Sequence, residues 1–126
     1  MVYCSTHLSL ATLEVLVHAN KKTLQKKLTS ILIEVPEHLI QQLPDGWLPD
    51  GWNDYPEGDE SKGIGDGWAR SMVSLGMSVP SATMPNATKI EEQNVLINPM
   101  HSQFKQIKFI EQHDFDFDSR IKKLLE

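Results

Sequence analysis

The chain has 126 residues, 40% of them hydrophobic and 23% charged, with a formal net charge of -5, the size and balance of one soluble globular domain with a single core. A negative balance argues against a broad, direct grip on nucleic acid, which needs clustered Lys and Arg. Cys4 stands alone, so no intrachain disulfide forms and a reducing, cytoplasmic compartment fits; no apolar run approaches the roughly 20 residues of a membrane span, and no basic segment marks a signal peptide.

Residues 2–4 read as the end of a strand without a lead-in. Ser5 or Thr6 is the predicted cap of the next helix, since a side-chain oxygen there accepts an orphan backbone N–H. The helix is predicted to reach about residue 19. Its apolar residues Leu8, Leu10, Ala11, Leu13, Val15, Leu16 and Val17 go almost all the way round, which predicts burial on every side. Glu14 and His18 are four apart and share one side of it. A carboxylate on a buried helix is expensive unless something pairs with it. Two readings stand: a structural Glu14–His18 contact at the helix edge, or an active-site carboxylate facing a pocket.

The cluster Lys21, Lys22, Lys26 and Lys27 reads as a solvated surface turn. Residues 28–35 are rich in β-branched side chains and close on Pro36, predicting a central strand. Residues 37–43 form a short helical turn. Leu43-Pro44-Asp45-Gly46-Trp47 is repeated at once as Leu48-Pro49-Asp50-Gly51-Trp52. Pro presets one dihedral and Gly accepts a positive φ, so this is a loop, with both tryptophans packed back on the body and a carbohydrate or partner role as the alternative. Residues 53–62 read as an acidic loop. Gly63-Ile64-Gly65-Asp66-Gly67 lacks the preceding strand and the Lys-Ser/Thr ending of a phosphate loop. Instead, Ser61 starts a helix whose buried face is Trp68, Met72 and Leu75, stopped by Gly76.

Residues 77–85 read as an extended segment that Pro80 and Pro85 confine to an edge or bulge. Ser81 then lies in irregular backbone, as a turn hydroxyl or a ligand contact. Asn86-Ala87-Thr88 matches a glycosylation sequon that an intracellular chain does not use. Residues 94–98 and 104–110 read as strands separated by a turn. Asp114, Asp116 and Asp118 have the spacing of a calcium loop, but Ser119 and Leu125 stand where that loop needs Gly and Glu. The segment is a strand with Phe115 and Phe117 inward, and Asp118 or Ser119 caps a terminal turn. The order of elements is that of an α+β domain: one compact unit, a mixed β-sheet with flanking helices. The residues alone make no catalytic triad, metal cluster or complete nucleotide loop.

Several segments, in this order, resemble one family, the RES-domain toxins of bacterial toxin–antitoxin pairs. They are Val2-Tyr3-Cys4-Ser5 with Leu8 and Leu10, Leu13-Glu14-Val15-Leu16-Val17-His18, Leu43-Pro44-Asp45-Gly46-Trp47, Gly65-Asp66-Gly67-Trp68, Val79-Pro80-Ser81-Ala82, Asn94-Val95-Leu96-Ile97-Asn98-Pro99-Met100-His101 and Phe115-Asp116-Phe117-Asp118-Ser119-Arg120. Together they span nearly the whole chain. The family is named for an Arg, a Glu and a Ser. Its Glu falls on Glu14, its Ser on Ser81, and an active-site Tyr on Tyr3. Its Arg sits in a Gly-Arg-Trp-Asn type motif upstream of that tyrosine. The chain has no such motif, and Arg70 and Arg120 lie in other segments.

The resemblance implies a small ADP-ribosyltransferase-like fold and an enzyme that takes NAD as substrate, with no cofactor and no metal. It implies cleavage of the nicotinamide–ribose bond and transfer of ADP-ribose to phosphate, water or a protein. Glu14 would be catalytic, and Tyr3 and Ser81 would bind substrate. The implied partner is a helix-turn-helix (Xre-type) antitoxin that covers the pocket, in an oligomer with the toxin. On the same resemblance the chain is a RES domain without the family's usual N-terminal segment, and the alternative function is an inactive remnant that only binds its antitoxin.

Overall fold

A computed structural model describes residues 1–44, 46–50, 52, 59–84 and 92–126. Its main sheet has the order β1-β5-β4-β3, with β1 at Val2–Ser5, β3 at Ile40–Gln42, β4 at Gly76–Val79 and β5 at Asn94–Ile97. β5 runs antiparallel to both β1 and β4, and β3 runs parallel to β4. The sheet is therefore mixed, as expected for this α+β domain. The helices are α1 (Leu8–Leu16), α2 (Lys21–Gln25), α3 (Asp59–Ser71) and α4 (Ser119–Leu124). β2 (Leu28–Glu34) and β6 (Lys108–Phe115) form a separate antiparallel ribbon with a register shift between Leu32 and Ile33.

The core lies where α3 meets one face of the main sheet. Leu43, Trp68, Met77 and Leu96 are buried together, with Ile64, Ala69, Leu48 and Val79 packed against them. The strand register makes this cluster: Met77 lies opposite Leu96, so their side chains leave the same face. The Trp68 indole N–H donates to Ser74 Oγ at 2.8 Å, which lets the ring be buried without an orphan donor. Asn98 Nδ2 donates to the Ala69 carbonyl at 2.9 Å and ties the end of α3 to the end of β5. At Gly76 the two strands leave little room, since a Cβ there would meet Ile40 Cγ1 at 3.3 Å and Ile97 Cδ1 at 3.4 Å.

Several local expectations are corrected. The segment after Gly76 is a buried inner strand, paired on both sides; Pro80 falls just past its end and removes no ladder bond. α3 ends at Ser71, not at Gly76, because Met72 takes a left-handed φ of 57°. Met72 is consequently exposed, while Leu75 is buried from outside the helix. β2 is not central: among the described residues it pairs only with β6, and Ile31, Leu32, Phe109 and Ile110 of this ribbon are exposed.

The lysine segment is not a simple turn. Asn20 and Thr23 form a reciprocal cap that starts α2. Residues 104–106 form a 3-10 turn before β6 begins at Lys108. Phe117 is buried just beyond β6 and meets Phe115 edge-to-face at 5.4 Å. Asp118 caps α4 as expected, accepting from the Arg120 N–H at 2.8 Å. Trp47 is exposed rather than packed on the body. Asp45, Gly51, most of the acidic loop and the sequon at Asn86 lie outside the described residues.

Candidate active site

α1 contacts the sheet along a narrower stripe than its composition suggests. Only Leu10 is fully buried, while Leu8, Leu13, Val15 and Val17 are exposed. Apolar content all round a helix says that it can be buried, but tertiary contact decides which side is. Leu10 and Glu14 are one turn apart on the same side, so the turn after the buried leucine presents Glu14 toward the sheet. His18 is exposed and makes no hydrogen bond with Glu14, which corrects the expected Glu14–His18 contact.

The partners of Glu14 come from the far end of the chain. In the strand register Ser5 lies opposite Asn94 and Asn94 opposite Val79, so three strands end in one row. Ser81 follows two residues beyond. Its Oγ is 2.5 Å from Glu14 Oε1. Asn94 Nδ2 donates to the same oxygen at 2.8 Å, and Thr83 Oγ1 lies 3.1 Å from it. Ser5 Oγ donates to Asn94 Oδ1 at 2.7 Å. A carboxylate oxygen only accepts, so the Asn94 amide must turn its NH₂ to Glu14 and its oxygen to Ser5.

Proton counting orders the hydroxyls. Ser81 Oγ also lies 2.7 Å from Thr83 Oγ1 and accepts the Thr83 backbone N–H at 3.1 Å. The short contact to Glu14 takes the Ser81 proton. Thr83 then gives its own proton either to Ser81 Oγ or to Glu14 Oε1. Ser81 is 1% exposed and its hydroxyl is fully used within the protein. Among the described residues nothing donates to Glu14 Oε2. One carboxylate oxygen is thus held by a network of three side chains.

The structure brings Glu14 and Ser81 together and keeps Tyr3 outside their hydrogen-bond network. Tyr3 is 74% exposed on β1, on the same face as Ser5 two residues on. Its ring is available to a ligand but makes no side-chain hydrogen bond among the described residues. Sequence reasoning missed Ser5, Thr83 and Asn94. Ser5 or Thr6 is the expected cap of α1, but the N-cap is His7, with no side-chain cap bond. Thr6 Oγ1 instead accepts the Gln93 N–H at 3.1 Å. The signal for Asn94 was its place at the head of an apolar strand, where a polar side chain has to find a partner.

Arg120 pairs with Asp118 through Nε at 2.9 Å, and Arg70 is exposed on α3, so no arginine among the described residues bonds Glu14. A cavity of about 100 Å³ near Pro80 and Gln93 is not lined by Glu14. Burial pushes the neighbouring Cys4 thiol above its ordinary pKa of 9.0. No helix among the described residues is long and apolar enough to cross a membrane.

Comparison with known proteins places the chain in a family. The RES domain family model matches residues 1–118. The chain is 38% identical over 123 residues to "Toxin Res" of Photorhabdus laumondii subsp. laumondii, covering 97% of this chain and 76% of that one. It is 35% identical over 124 residues to "Prs ADP-ribosylating toxin" of a Sphingobium species, covering 96% and 74%. It is 33% identical over 123 residues to "Toxin Res" of Yersinia enterocolitica serotype O:8, covering 96% and 77%. A family match over residues 1–118, with relatives 33–38% identical along nearly the whole chain, makes the chain a member of the RES domain family.

Proposed function

We propose that this chain is the toxin of a toxin–antitoxin pair and acts on NAD, breaking the bond between nicotinamide and ribose. The observation that carries the reading is Glu14: a half-buried carboxylate with Oε1 held by Ser81 and Asn94 and Oε2 unclaimed among the described residues. Loss of nicotinamide leaves an oxocarbenium-like ribose carbon. A fixed carboxylate beside it stabilises the developing positive charge or orients the incoming nucleophile, and a preorganised group does this without reorganising during the reaction. Nicotinamide departs with the bonding electron pair. The acceptor oxygen or nitrogen then bonds to the ribose carbon and gives up its proton.

In this reading Glu14 is catalytic and Tyr3 offers its exposed ring to stack on the substrate. Ser81 serves the site by holding Glu14, because its hydroxyl is already engaged. The ADP-ribose acceptor is phosphate, water or a protein; the name of the Sphingobium relative supports the transfer of ADP-ribose. The partner is a helix-turn-helix antitoxin of Xre type, which covers the site in an oligomer with the toxin in the cytoplasm. A second reading, a remnant that binds its antitoxin without turnover, is favoured by one observation. No arginine among the described residues hydrogen-bonds Glu14, and a pyrophosphate without a clamp is poorly positioned, which alone costs orders of magnitude in rate.

The test is incubation of the chain with NAD while nicotinamide release is followed, alongside Glu14→Ala. Release that disappears in the variant supports the assignment. Equal release from both proteins removes Glu14 from the mechanism, and no release from a folded parent favours the remnant.

A further inference from the structure

We propose that Asn94, braced by Ser5, is a positioning residue that fixes the orientation in which the Glu14 carboxylate meets the substrate. The inference rests on the NAD reading and adds to it the device that aims the carboxylate. A glutamate side chain has three rotatable bonds, and a half-buried one on a helix needs outside contacts to hold a single orientation. Ser81 and Thr83 hold Oε1 from one segment. Asn94 reaches the same oxygen from β5 at 2.8 Å, so the carboxylate is gripped from two separate parts of the chain. A rotation that swung the carboxylate out of its present plane would break both grips together.

Asn94 itself is not free to turn. Its amide oxygen accepts from Ser5 Oγ at 2.7 Å, and β1 and β5 are paired at this rung. Flipping the amide would face its oxygen toward Glu14 Oε1 and its NH₂ toward the Ser5 hydroxyl, losing the bond to the carboxylate. The relay Ser5–Asn94–Glu14 thus converts the sheet register into the orientation of one carboxylate. Misplacement of a reacting group by about 1 Å is enough to cost about 10²-fold in rate.

The test uses the whole 126-residue chain labelled with ¹⁵N and follows the Asn94 side-chain amide. Glu14→Gln and Ser5→Ala are both expected to shift its resonances, and Ser5→Ala to speed its solvent exchange at least about tenfold, through loss of the brace. Ser5→Thr keeps the hydroxyl and the parent amide signature. In turnover, Asn94→Ala lowers kcat for nicotinamide release by about 10²-fold with KM for NAD within about threefold, as does the equal-sized Asn94→Asp. Asn94 amide resonances unmoved in both Glu14→Gln and Ser5→Ala overturn the proposal, and so does a change confined to KM. If the amide responses stand while the parent releases no nicotinamide, the bracing of Glu14 is upheld and the NAD assignment alone fails.

Discussion

Replacing Ser81 by alanine tests the site as a piece of folded structure, apart from any reaction. Ser81 is 1% exposed, donates to Glu14 Oε1 at 2.5 Å and accepts the Thr83 N–H at 3.1 Å. A hydrogen bond to a charged group contributes about 1.5–3 kcal/mol. The orphaned Thr83 N–H adds about 1 kcal/mol, the low end of the range, since Thr83 is only half-buried and water reaches it. Ser81→Ala is therefore expected to cost about 2.5–4 kcal/mol, or a fall in Tm of roughly 8–15 °C for a domain of this size. The loss should be coupled to Glu14. In a Glu14→Ala background the same substitution removes only the Thr83 contribution, about 1 kcal/mol, so the double-mutant cycle returns about 1.5–3 kcal/mol of interaction. Urea unfolding of the four proteins, followed by circular dichroism at neutral pH, measures this directly. Equal costs in the two backgrounds would refute the claim that the Ser81 hydroxyl is spent on Glu14.

Other outcomes follow from the same structure. Met72→Gly is expected to stabilise the chain by about 0.5–1 kcal/mol in urea unfolding, because glycine takes the left-handed φ of 57° without a Cβ clash. Asp116 and Asp118 are held below their ordinary 3.8, chiefly by the side-chain hydrogen bonds of Lys122 and Arg120 respectively. The folded state therefore binds fewer protons than the unfolded state below that value. This support is present above pH 3.8 and is lost as pH falls toward the folded pKa values. Asp118→Asn keeps the cap acceptor and loses the ion pair. Its small deficit at neutral pH should vanish in acid, and also in about 1 M salt, where exposed charges are screened. The thiol of Cys4, raised by burial, should react with an aromatic disulfide reagent at least about tenfold more slowly in the folded chain than in denaturant.

What the sequence determined by itself was the local and compositional part. The α+β class, the strand at residues 94–97, the Asp118 cap and the suspicion attached to Glu14 were all legible, because each depends on nearby residues: an apolar run, a capping oxygen, a charge on an apolar helix. The quoted segments also carried the family. Tertiary structure alone decided who meets whom. Residues 28–34 have the composition of a central strand, yet their partner is residues 108–115, and no local signal names a partner so far along the chain. α1 looks buried all round, but the sheet covers only the side with Leu10. Glu14 was legible as a carboxylate in need of company; His18, its neighbour in sequence, is not that company. Its partners lie 67 to 80 residues away, and only the register of β1, β5 and β4 brings Ser5, Asn94 and the end of β4 into one row beneath it. Hydrogen-bond geometry is a property of that row, because a displacement of one residue in the register would turn Asn94 to the opposite face.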